Sequence, residues 1–101
     1  MVKREAACSC GQLQAVAEGE PIRVSVCHCL ACQRRTGSAF GFQARYLRER
    51  VSLSGQSHEF DVVAVPVGAF ADPAFAPPRR SVYESRKHNW VTLPSGVEHH
   101  A

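Results

Sequence analysis

Polar and apolar residues alternate along this chain in short runs separated by turn-forming residues, a pattern that predicts strands rather than helices. Gln12-Leu13-Gln14-Ala15-Val16-Ala17 begins with such an alternation and Glu18-Gly19-Glu20-Pro21 breaks it, so a strand followed by a turn is expected. Ile22-Arg23-Val24-Ser25-Val26 alternates again, Phe40-Gly41-Phe42-Gln43-Ala44 puts both phenylalanines on one strand face, and Val51-Ser52-Leu53 is a short strand stopped by Ser54-Gly55. The β-branched run Val62-Val63-Ala64-Val65 suits a strand covered on both faces, with Pro66 arguing for an edge or an end. After the turn Ala71-Asp72-Pro73 and the extended Pro77-Pro78, two last strands are expected at Ser81-Val82-Tyr83 and Trp90-Val91-Thr92-Leu93, closed by Pro94-Ser95-Gly96. Only residues 31–37 are expected to be helical, for one or two turns. The expected fold is mainly β, with Trp90, Phe40 and Phe42 in the core.

With 101 residues, 45% of them hydrophobic, the chain can close one core but not two, since domains rarely fall much below about 50 residues. One domain over residues 1–97 is expected, followed by a polar tail at 98–101. Twelve Lys and Arg against nine Asp and Glu leave a formal charge of only +3, spread along the chain, which argues against nucleic acid as a partner. Arg34-Arg35, Arg79-Arg80 and Arg86-Lys87-His88 are the densest basic clusters, readable as solvated surface or, more sharply, as contacts for a small anionic substrate. No apolar run follows the charged Lys3-Arg4-Glu5 and none approaches the ~20 residues of a membrane span, so a cytoplasmic protein is expected, with no membrane partner.

In that reducing compartment, closely spaced cysteines bind metal or do chemistry more often than they pair, and the odd count of five agrees. Cys27 and Cys29 lie two apart at the end of an expected strand and should face one way; Cys32 follows after a turn, so the three sulfurs can converge. Three thiolates around one zinc ion leave a tetrahedral position free, as in a reactive rather than a structural site. His28 has the opposite parity, which favours a buried or hydrogen-bonding role over ligation. Cys8-Ser9-Cys10-Gly11 repeats the two-residue spacing and reads as half a zinc site, as a vacant dithiol, or as a donor that completes the other site.

Cys8-Ser9-Cys10-Gly11, followed by the run from Cys27-His28-Cys29-Leu30-Ala31-Cys32 through Gln33-Arg34-Arg35-Thr36-Gly37-Ser38-Ala39-Phe40, resembles the domain shared by glutathione-dependent formaldehyde-activating enzymes and centromere protein V. The resemblance continues through residues 65–73 and through Ser85-Arg86-Lys87-His88-Asn89-Trp90, so it covers nearly the whole chain. It implies a tent-like β-sheet fold, two zinc ions bound by cysteines, and carbon–sulfur lyase chemistry that joins formaldehyde and glutathione. By motif position Cys27, Cys29 and Cys32 hold the substrate-site zinc, and Cys8 and Cys10 are the first half of a structural zinc site. The family's second half, a Cys-x-x-Cys-Gly segment, has no counterpart where Ser57-His58-Glu59-Phe60 runs directly into Asp61-Val62-Val63, so an internal segment is missing there.

The chemistry expected is that of a zinc-dependent carbon–sulfur lyase acting on a glutathione or similar thiol adduct, with Arg34, Arg35 and Thr36 as candidate contacts for its carboxylates. The alternative is a non-catalytic zinc module, whose mark would be a fourth ligand from Cys8, Cys10 or a histidine. A third possibility is a shortened relative that exposes strand edges and is rescued by association.

Overall fold

In the computed structural model, which describes residues 2–54 and 62–101, the alternating segments form two sheets. The strands in chain order are β1 (Lys3–Ala7), β2 (Gln14–Glu18), β3 (Arg23–Cys27), β4 (Gly41–Leu47), β5 (Val51–Ser54), β6 (Val62–Pro66), β7 (Arg80–Val82) and β8 (Glu98–His99), with one helix, α1 (Leu30–Thr36), between β3 and β4. The smaller sheet runs β1-β2-β5 and the larger β6-β4-β3-β7-β8. The chain is therefore mainly β, as its periodicity predicts.

The sheets lean together over one core. Antiparallel pairing sets Ala6 opposite Ala15, Ala15 opposite Leu53 and Ala17 opposite Val51, and directly opposed residues share a face. That face meets Val24, Ala44, Tyr46 and Val65 of the larger sheet, and Val67 closes the cluster. Ala17, Ala44 and Tyr46 are almost fully buried. The small alanines admit the Tyr46 ring, which tilts against Phe70, and Phe70 stacks on Phe75 at 4.9 Å between centroids. At the end of β1, Arg4 also points to this face: its guanidinium lies 5.3 Å from the Phe75 ring centre and donates to the Gly19 carbonyl at 2.9 Å, so the stem covers apolar surface while the charge stays satisfied.

Several elements differ from expectation. β1 is a strand despite its charged sequence, because β2 pairs along all of it. β6 is an edge strand that ends at Pro66, with Val63 and Val65 turned inward and Ala64 exposed, so one face is open. Residues 90–93 form no strand: Val91 is buried, but its N–H bonds to the His88 carbonyl and its own carbonyl accepts from Lys87 Nζ, which leaves no ladder to join. Trp90 is 71% exposed and Phe40 lies outside β4, against the edge of the His28 ring, while Phe42 packs on the core. The expected missing segment between Phe60 and Asp61 falls outside the described residues. Among those described, no helix is long and apolar enough to cross a membrane.

The largest correction is at 98–101, which is polar in composition yet not a tail. Glu98 N–H donates to the Arg79 carbonyl, His100 N–H to the Ser81 carbonyl, and Glu84 N–H to the His100 carbonyl. Removing residues 98–101 should therefore cost about 1–3 kcal/mol, the scale of a few net hydrogen bonds, and lower the thermal midpoint by several degrees. Calorimetry of the truncated chain measures this, and an unchanged midpoint would restore the tail.

Candidate metal centre

Cys27, Cys29 and Cys32 occupy three consecutive local structures: the last residue of β3, the N-cap of α1 and its first turn. Cys29 has extended backbone (φ −63°, ψ 156°), so the strand direction persists through it before the helix begins, and its sulfur accepts from the Cys32 N–H at 3.4 Å. The three sulfurs all lie within 4.8 Å of one another, and each side chain is half-buried. Zinc–sulfur bonds of about 2.3 Å in a tetrahedron need sulfurs only somewhat less than that apart, so the donor set fits a zinc ion by both spacing and chemistry. These residues could hold a metal ion.

Among the described residues no fourth donor joins the group. Cys8 and Cys10 lie apart from it, and His28, flanked by two of the thiols, is turned to the opposite face and fully buried. Burial pushes the Cys27 thiol up to about 12, whereas the Cys32 N–H and the hydrogen bond with Cys27 lower that of Cys29. A metal ion held by these thiols would displace the Cys27 proton, so its binding would release acid.

The floor of the site is Gly41, paired directly with Cys27 across β3 and β4. A methyl group on Gly41 would stand 2.9 Å from Arg35 Nη2, 3.4 Å from Cys32 Cβ and 3.6 Å from Cys32 Sγ. The missing side chain is what lets the Arg35 guanidinium lie beside the thiols. Residues three apart on a helix share a side, so Arg35 follows Cys32 while Arg34 does not. Thr36, the third candidate contact, has its hydroxyl engaged: it donates to the Cys32 carbonyl at 2.9 Å and accepts from the Ser38 N–H at 3.1 Å. Its work is to end α1, together with Gly37 at φ +69°.

Behind the thiols runs a polar chain that sequence reading did not anticipate beyond a hydrogen-bonding role for His28. His28 Nε2 lies 2.9 Å from Ser81 Oγ, Glu84 Oε2 lies 2.7 Å from His99 Nδ1, and Ser81 and His99 together hold the Glu84 carboxyl down. A hydroxyl both donates and accepts, so Ser81 can satisfy His28 Nε2 in either tautomer. His28 Nδ1 is buried without a partner. Gln33 ties α1 to the same region, donating to the carbonyls of His28 (2.8 Å) and Arg86 (3.2 Å) and contacting His88 Nε2 through its oxygen. No sequence motif signals this network, because its buried link, His28 to Ser81, joins residues 53 apart in the chain.

The hydrogen bonds from Ser81 and His99 hold the Glu84 carboxyl below its ordinary range. A carboxyl depressed in the folded state stabilises the fold above its ordinary pKa, and that contribution is lost as pH falls through the lower folded value. Between about pH 6 and about pH 3, wild type should lose more thermal stability than Glu84→Gln, which has nothing to protonate. Equal losses in parallel melts would show that the network does not hold Glu84.

A model of the family described as glutathione-dependent formaldehyde-activating enzyme matches residues 3–63, more than half of the chain and all five cysteines. No curated protein matches the chain.

Proposed function

Since the chain belongs to the glutathione-dependent formaldehyde-activating enzyme family, we propose that it is a zinc-dependent carbon–sulfur lyase acting on S-hydroxymethyl adducts of glutathione or a similar thiol. The observation that carries this reading is the convergence of Cys27, Cys29 and Cys32 without a fourth donor among the described residues. A zinc ion bound there supplies a positive centre that keeps an incoming thiol deprotonated at neutral pH. Had Cys8, Cys10 or a histidine closed the set, a purely structural module would be favoured.

The bond formed joins the thiol sulfur to the carbonyl carbon of formaldehyde. The carbonyl π pair moves to oxygen, and the proton lost by the thiol ends there, so thiol and aldehyde give the hydroxymethyl thioether with no other reactant. Run backward, the same exchange cleaves the carbon–sulfur bond. The protein's own residues bind and orient the substrate. Arg35, beside Cys32, is placed to take a glutathione carboxylate in forked geometry, and its bidentate grip would fix the thiol relative to the cluster. Arg34 and Thr36 are weaker candidates, the first for its side of the helix and the second for its engaged hydroxyl. The reading places the protein in a reducing, cytoplasmic setting, where its thiols stay free.

Cys29→Ser should lose the zinc of this cluster and the turnover together, measured by metal analysis and by exchange of labelled formaldehyde with glutathione in NMR. Zinc-loaded wild type that exchanges no adduct would overturn the lyase reading in favour of the non-catalytic one. Arg35→Met should leave zinc content unchanged and raise KM for the adduct roughly 10-fold or more, the loss expected for a charge-assisted hydrogen bond of about 1.5–3 kcal/mol. A KM that does not move would remove Arg35 from the substrate site.

A further inference from the structure

The face of the larger sheet that carries the Cys27 thiol also carries a run of arginines with no part in the reading above. In β3 the side chains of Arg23, Ser25 and Cys27 share one face, because alternate residues of a strand point the same way. Register extends that face sideways: Cys27 stands opposite Gly41, Ser25 opposite Gln43 on one side and Arg80 on the other, and Arg23 opposite Arg45. Two residues of strand rise about 7 Å, so Arg80 lies one row from the first thiol, and Arg23 and Arg45 lie two rows away, at about 13 Å. Arg35 reaches the same face from α1, over Gly41. Of the sequence pair Arg79-Arg80, only Arg80 has the parity to join it.

These arginines are short of counter-ions. On the smaller sheet the cations are matched: Lys3 Nζ lies 3.5 Å from a Glu18 oxygen, and Arg4 Nη2 lies 3.3 Å from Glu20 Oε1. Arg45 and Arg80 are half-buried, and the Nε–H of each is buried without a hydrogen-bond partner. Among the described residues no carboxylate forms an ion pair with Arg23, Arg45 or Arg80. Glu98 stands opposite Arg80 on β8, but its carboxylate is engaged by His100 Nε2 at 2.9 Å. A charge withdrawn from water is normally matched by a charge of opposite sign. Two unmatched guanidinium groups on one floor, on either side of the buried Ser25, are therefore suited to an anion that comes from outside the chain.

We propose that Arg80 and Arg45, with Arg23 at the outer end, bind a second carboxylate of the thiol substrate, one to two strand rows from the three-cysteine cluster. The proposal rests on the reading of that cluster as a thiol site. Arg35 takes the carboxylate nearer the thiols and the floor takes the farther one, so an extended thiol with an acid group at each end lies along β3. A guanidinium offers parallel N–H donors to both oxygens of a carboxylate, and the unpartnered Nε–H is one of that pair. No covalent bond changes in this step. The floor selects long dianionic thiols over small uncharged ones, which reach the cluster without reaching the arginines.

Nuclear magnetic resonance of the zinc-loaded full chain, titrated with S-methylglutathione, tests this without turnover. The thioether keeps both carboxylates but has no thiol to react, and its diethyl ester is the control without carboxylates. The acid should shift the Nε–H signals of Arg80 and Arg45 in wild type and bind about 10-fold tighter than the ester, or more, the scale of a charge-assisted hydrogen bond. Arg80→Met, which keeps an apolar stem, should lose roughly that factor for the acid and none for the ester. Signals that stay still at saturation overturn the proposal, and so does a folded Arg80→Met chain that binds the acid as wild type does. Failure here is distinct from failure of the lyase reading. Shifted arginine signals without formaldehyde exchange keep the carboxylate site and sink the lyase, whereas still signals with undiminished exchange in Arg80→Met do the reverse.

Discussion

The candidate site depends on β3 being bonded on both sides. Antiparallel β4 and parallel β7 pair with it from Ser25 to Cys27, so the strand end that bears the first thiol is held by two ladders at once. A strand fixed this way sorts its side chains by parity. Val24, Val26 and, just beyond the strand, His28 turn toward the interior, while Cys27 turns to the face where Gly41 leaves room. Cys29 and Cys32 are then placed by a single local event, the N-cap of α1. The metal-ligating geometry is therefore mostly backbone geometry, with little demand on side-chain packing.

The polar chain from His28 to His99 shows how a small domain secures such a strand when apolar material is short. Its core consists mainly of alanine and valine, which bury little area each. Buried hydrogen bonds then matter for uniqueness as well as energy, since a displaced Ser81 would leave His28 with both ring nitrogens unpartnered. This explains why segments 80–86 and 98–100 are fastened to the sheet and to each other.

Much of this architecture was legible before any coordinates. β2, β3, β4 and β5 follow from alternation, β6 from its β-branched run, β7 from Ser81-Val82-Tyr83, α1 from the short run Ala31 to Gly37, and the thiol cluster from its spacing alone. β1 was hidden because Lys3-Arg4-Glu5-Ala6-Ala7 has no β-branched residue, and its inward positions are an alanine and an arginine that snorkels. β8 was hidden because two exposed polar residues carry no hydrophobic signal, and only their backbone groups pair. Trp90 misled in the other direction: a large aromatic beside a valine reads as strand, yet only the valine is buried. Arg35 could be singled out over Arg34 only once the helix phase and the bare floor at Gly41 were known.

The two neighbours of β3 differ in one respect that bears on how the protein is made. Its three thiols emerge from the ribosome within six residues of one another, from Cys27 to Cys32, whereas Ser81, the partner of the buried His28, is translated 53 residues later. At about 5–20 residues per second, the nascent cluster waits roughly 3–10 s for the strand that locks its base. During that interval the sulfurs are a local peptide motif without a sheet beneath them on the β7 side. Gathering of the thiols and closure of the sheet beneath them are thus separate events in the birth of the molecule, spaced by the distance along the chain between a histidine and a serine.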